Sequence, residues 1–356
     1  MAEETLLSTH AAVPAVRARG PLSARLLDLL GSRAPLENDL RDDLREAAVE
    51  AVARTEDIAR DEDVQLSLFL LYCLHYGELS GIDDSWEWQP GVVAVRLELE
   101  RAWELYLRTH VELPALPAAA KEAVAPALFA LTHPSSGPSV SRYVAKRATE
   151  EQLREFLILK SIYTLKEADP HSWAIPRLHG RAKAAMIEIQ MDEYGQGRPE
   201  NVHSAIFAAT MRSLGLDSRY GCYVNDVPAL ALASFNMMSM FGLNRRLRGA
   251  IVGHLAAFEM TSSIPNKLYG DGFRRLGYGE DATRYFDIHV EADAIHEQIA
   301  GRDLAGALAE DEPHLLEDIF FGAAASLTVD GWVGEHILNA WKQGESALRQ
   351  YDGAGV

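Results

Sequence analysis

From Ser23 onward, apolar residues recur at three- and four-residue intervals among charged ones, and no run alternates between turn signals. That spacing builds helices and leaves nothing to build a sheet from, so the expected fold class is all-α. Helices are expected over Ser23–Leu30, Leu36–Arg54, Asp61–Glu78, Val92–Arg108, Thr149–Ala168, Arg181–Tyr194, His203–Leu214, Pro228–Gly242, Leu247–Thr261 and Ala282–Ala300. Leu315–Gln350 reads as two more, hinged near Asp330-Gly331. Asp61–Glu78 is too apolar to stand alone and should be a central helix with an acidic first turn.

Residues 1–20 read as a loosely ordered arm. The cluster THPSSGPS is the strongest break and divides an N-terminal helical region, 21–140, from a core, 141–350, on which it packs. The net charge of −18 repels phosphate backbones, so no nucleic-acid partner is expected. Two cysteines, Cys73 and Cys222, cannot form a disulfide framework, and the chain lacks a signal peptide and a membrane-length apolar run. A cytoplasmic protein that does not enter the membrane is the expectation.

The chemistry-bearing residues sit on the helical stretches. His289, Asp293 and His296 fall at i, i+4 and i+7, one face of a helix, and imidazole with carboxylate suits iron, manganese or zinc. Alone, such a face is more often merely solvated. Gly195, Gly197 and Pro199 interrupt the helical pattern between Glu193 and the pair Glu200 and His203. A plain turn with Glu200 as a first-turn acid accounts for Glu200, but not for His203 together with Glu167 and Glu193. Ferritin-like diiron bundles need two Glu-x-x-His motifs, and only Glu200-x-x-His203 is joined by other candidate ligands.

Three segments carry a different resemblance: K-E-A-D-P-H at 166–171, E-I-Q-x-D-E-Y-G-x-G at 188–197 with His203 following, and H-x3-D-x2-H at 289–296. Over about Glu150 to Trp341 the chain resembles the haem-oxygenase-like diiron oxidases and oxygenases. The resemblance implies a haem-oxygenase-like helical bundle, here with additional N-terminal helices, holding two Fe(II) and no haem, with O2 as co-substrate. It implies Glu167 as a first carboxylate ligand, Glu193 as the bridging one, and His203, His289, Asp293 and His296 as further ligands. Glu200 matches an extra carboxylate of the N-oxygenating branch. The break at Gly195–Pro199 matches a helix that in this family orders when iron binds.

The expected function is therefore oxidation of a small aminated metabolite, an amino acid first, by N-oxygenation or by C–H desaturation leading to cyclisation. The alternatives are an amino-acid desaturase or lyase without oxygen insertion, and a non-redox ligand-binding protein on the same fold. An external electron donor is an expected partner, and a homodimer is suggested by analogy with such folds. Arg177 is a candidate clamp for a substrate carboxylate. His75, His171, His179 and His254 read as structural histidines, Met237, Met238 and Met240 as core. Glu259, on an apolar helix, needs a partner: it could stand behind the metal ligands or pair with Arg245 or Arg248, and the structural reading is preferred.

Overall fold

The computed structural model describes residues 13–350 except 36–41, 78 and 135–136, and the side chains of residues 291, 293 and 294 lie outside that description. Among the described residues the structure is helical and contains no strand. Its α-helices run α1 Pro21–Leu30, α2 Asp42–Arg54, α3 Glu62–Tyr76, α4 Pro90–His110, α5 Lys121–Leu131, α6 Val140–Lys146 and α7 Glu150–Thr164. They continue as α8 Asp169–Ser172, α9 Gly180–Glu193, α10 His203–Ser213, α11 Ala229–Leu243, α12 Arg248–Arg275, α13 Glu280–Gln298, α14 Ala307–Asp311 and α15 Leu316–Gln343.

The two most apolar segments become the centre. Asp61 caps α3 by accepting the Val64 N–H at 2.8 Å, and the helix is buried from Val64 to Leu74. It packs against α11, which is buried from Ala229 to Gly242. Gln65 and Asn236, both fully buried, meet at this crossing: the Asn236 amide donates to Gln65 Oε1 at 2.9 Å and to the Gln65 carbonyl at 2.8 Å. The N-terminal helices α1, α2 and α4 join through α3, and one continuous apolar core spans both sides of the 132–139 break. That break is a loop between α5 and α6, which pack on later helices.

Residues 17–20 are tied down rather than loose. The Arg17 N–H donates to Asn225 Oδ1 at 2.8 Å, and the Arg19 guanidinium pairs with Glu62 at 2.6 Å. The expected arm over residues 1–12 and the expected helix start at Leu36 lie outside the described residues.

Two helices depart from the sequence expectation. α12 continues past Thr261, through Pro265, to Arg275. α15 is continuous across Asp330-Gly331, where a hinge was expected. Both gain from the same contact, since α12 and α15 pack along most of their length. The approach is backbone to backbone: a Cβ on Gly253 would lie 1.8 Å from the Ile319 carbonyl oxygen, and one on Gly322 1.9 Å from that of Ala250. Tertiary packing thus overrides the local breaking tendency of Pro265 and Gly331. Gly322→Ala should destabilise by about 2–3 kcal/mol, because neither backbone can yield cheaply. Gly331→Ala, on the same helix with nothing within 4 Å, should instead stabilise by about 0.5–1 kcal/mol. Chemical denaturation of the two variants reads the opposite signs; equal effects would place the close contact elsewhere.

Candidate metal centre

α9 delivers Glu193 from its last residue, α10 delivers His203 from its first, and α13 delivers His289 and His296 from one face. The link between α9 and α10 is what turns Glu193 and His203 toward each other. Gly195, Gln196 and Gly197 take φ of 66°, 54° and 78°, the left-handed region that favours glycine. A Cβ on Gly195 would meet the Asn201–Val202 backbone at 2.5 Å, so the chain doubles back there only with glycine.

Two groups of buried side chains offer ligand atoms that all lie within 4.8 Å of one another: Glu193, His203 and His289 in one, Glu193, Glu259 and His296 in the other. Glu193 belongs to both. Its Oε2 lies 2.9 Å from His203 Nδ1, and His296 Nδ1 lies 3.3 Å from Glu259 Oε2. Glu193 Oε2, His203 Nδ1, His289 Nε2 and His296 Nδ1 are buried without an aligned hydrogen bond. Buried polar atoms are rarely left so, and four converging on one space fit a missing cation. The second nitrogens are engaged: His289 Nδ1 donates to the Tyr285 carbonyl at 2.6 Å, and His296 Nε2 meets Asp192 Oδ2 at 2.9 Å. Bonds of this kind fix the orientation of metal-binding imidazoles.

Electrostatics follow from burying three carboxylates with three imidazoles. Burial pushes the Glu193 carboxyl up, but the cationic His203 beside it outweighs this and holds Glu193 well below the usual carboxylate range. Burial pushes His203 down, and Glu193 reverses that, carrying it to about 9. His296 behaves alike: burial opposes the charge, and Glu259 and Asp192 bring it to about 9. His289, buried and facing the charged His203, is pushed down to about 4. Burial and the neighbouring Glu193 raise Glu167; burial raises Glu259, against its bond to His296.

Glu167 lies at the edge of the cluster. It accepts the Tyr285 hydroxyl at 2.7 Å, and with Glu193, Glu259 and His289 it lines a cavity of about 240 Å³. Asp293 is on α13 between the two histidines, but its side chain is outside the described residues. Glu200 is exposed and belongs to neither group. The Glu-x-x-His spacing would bring Glu200 and His203 to one face only on a continuous helix. Glu200 sits in a 3₁₀ turn, Pro199–Asn201, and Val202 is extended (φ −60°, ψ 126°) before α10 begins at His203. Arg177 does not line the cavity either: its guanidinium donates to the Gly242 carbonyl, one of the open acceptors at the end of α11.

Glu259 is the residue that the sequence reading passed over. Arg248, its expected partner, pairs with Glu312 instead, and Glu259 turns to His296. The signal was present in HLAAFEM: a carboxylate on a buried apolar face requires a partner, and a second ligand cluster supplies one.

Residues 154–331, half of the chain, match the model of a family described as iron-containing redox enzymes, and the chain belongs to that family. It is therefore an oxidoreductase of an iron-dependent, haem-oxygenase-like helical class. Among curated proteins it is similar to nitrosourea synthase of Streptomyces achromogenes subsp. streptozoticus, with 28% identity over 162 residues. The match covers 45% of this chain and 34% of that protein, so the chain spans about a third of the relative's length. Among the described residues no helix is long and apolar enough to cross a membrane.

Proposed function

We propose that this chain is a non-haem diiron enzyme that uses O2 to oxidise a small aminated metabolite, an amino acid in the first instance. The observation that carries the reading is the pair of ligand groups sharing Glu193 at the wall of a cavity. A carboxylate common to both groups suits two cations held side by side, one with His203 and His289, the other with Glu259 and His296. Asp293, between the two histidines of α13, and Glu167, at the cavity edge, complete the ligand set. Two ferrous ions held there would supply the electrons for O2 reduction.

The protein's part is geometry and exclusion of water. Tyr285 holds Glu167 by its hydroxyl and His289 by its carbonyl, so one residue positions a ligand from the turn after α7 and one from α13. Leu255 and Phe258 close the cavity on the α12 side. At about 240 Å³, with carboxylates already on one wall, it suits a small metabolite better than a porphyrin. The relative named for making a nitrosourea supports nitrogen as the atom oxidised. Desaturation of a C–H bond uses the same centre with a different substrate pose. Repeated oxygenation calls for an external electron donor.

Incubation of the iron-loaded protein with amino acids under 18O2, followed by mass spectrometry, tests the reading. A product heavier by one labelled oxygen supports N-oxygenation, and loss of two hydrogens with no label supports desaturation. No O2 consumption with any amino acid or amine contradicts both.

Loading should also depend on pH in a defined direction. At neutral pH His203 and His296, at about 9 each, hold protons in the metal-free protein, and a metal binds only the neutral imidazole. Binding therefore expels those two protons and a third from Glu167, which burial and Glu193 raise to about 8, and apparent affinity climbs with pH until it levels above about 9. Titration calorimetry in buffers of different ionisation enthalpy counts those protons. An affinity flat between pH 6 and 8 would contradict the charge assignment.

A further inference from the structure

Four residues of the cavity wall, Lys160, Tyr163, Tyr269 and Asp330, also line a second cavity of about 170 Å³. The far cavity is otherwise walled mainly by Val140, Phe156, Leu159, Val333 and Ile337. The wall shared by the two therefore carries one cation and one anion. Lys160 extends from α7, with its ammonium 4.8 Å from the Tyr163 ring centroid, 5.5 Å from that of Phe156 and 5.7 Å from that of Tyr269. It donates to the Tyr163 hydroxyl, and among the described residues no carboxylate lies within 4.0 Å of it. Aromatic faces hold an ammonium in its charged form without using up its remaining N–H donors. Asp330, from α15, accepts the Ser234 hydroxyl at 3.1 Å and keeps further acceptor capacity toward both cavities.

We propose that Lys160 and Asp330 bind the two ends of an amino acid's head group, Lys160 taking the α-carboxylate and Asp330 the α-ammonium. This rests on the reading of the site as an amino-acid oxidase. It replaces Arg177 as the carboxylate clamp. Both charges stand on the shared wall before any ligand arrives, so recognition needs no rearrangement.

The test uses the full chain loaded with Zn(II) as a redox-inert stand-in, with the protein amino acids and L-ornithine as probes in thermal-shift and calorimetric titrations. For the amino acid that binds best, its decarboxylated amine is the matched probe. Lys160→Met, which keeps the stem packed in the aromatic cage, should weaken the amino acid at least tenfold and leave the amine unchanged. Asp330→Asn should weaken both. Metal stoichiometry and helical content should match the wild type in each variant, which separates recognition from folding. Equal loss of amino acid and amine in Lys160→Met, no loss in either variant, or no amino acid that binds the wild type, would each overturn the assignment. If head-group binding follows this pattern but the iron-loaded enzyme consumes no O2, the assignment stands and the oxidase reading fails. If O2 is consumed and Lys160→Met leaves KM unchanged, the oxidase reading stands and the assignment fails.

Discussion

Glu193→Ala should leave the protein unable to hold either iron, because among the described residues Glu193 is the carboxylate that both ligand groups contain. Loss of a bond that orients a ligand typically weakens metal binding by about 10–100-fold, and loss of the shared ligand should exceed the top of that range at both positions. The fold should survive, since Glu193 ends a helix whose other buried residues, Ala182, Ala185, Met186, Ile189 and Gln190, remain in place. His203, released from its carboxylate neighbour, should titrate nearer the ordinary histidine value, because Glu193 is what raises it. Metal analysis after anaerobic desalting, alongside the far-ultraviolet dichroism spectrum, reads both outcomes. His289→Ala removes a ligand from one group only and should retain about half the iron. Wild-type iron content in Glu193→Ala would remove the basis for a paired site.

The second large effect separates two glutamates that look alike in sequence. Glu259→Gln should weaken the iron held with His296 by about 100-fold, since a neutral amide replaces a buried charged ligand. Glu200→Gln should change nothing, because that side chain is exposed on a 3₁₀ turn away from both groups. The pair is a controlled comparison, one charge removed in each case. It is read by the number and affinity of ferrous ions bound in anaerobic titration. Loss of iron in Glu200→Gln with none in Glu259→Gln would mean that the α9–α10 link closes differently around bound metal.

The fold class was legible because its signal is local. Helical spacing marks most of the helices, and Thr149 with Gln152 announces a capping box that forms at 3.3 and 3.1 Å. What local reasoning lost were the helices whose continuity is tertiary. Pro265 and Gly331 are breakers in isolation, yet both are absorbed where α12 and α15 press together. The candidate site divides the same way. His289 and His296 lie on one helix, so spacing alone puts them on one face. Glu193 and His203 flank a Gly-rich break whose strain is itself a signal. Glu259 comes from α12, the helix before the one that carries His296, and no spacing pattern joins two residues on separate helices. Glu200 stands apart from His203 because the residues between them do not form an α-helix, so helical spacing does not bring the two together. Lys160 and Asp330 stayed hidden for a related reason. Their meaning lies in a cavity between α7 and α15, and no sequence window contains both.

The central claim is that one chain holds two irons around Glu193, and counting them tests it most directly. Metal-free protein would be titrated anaerobically with Fe(II), desalted, analysed for iron, and then mixed with O2 while the visible spectrum is followed. Two irons per chain, with a spectral change that requires O2 and is lost in Glu193→Ala, is the predicted result. A limit of one iron or none, or two irons that Glu193→Ala leaves in place, would contradict it.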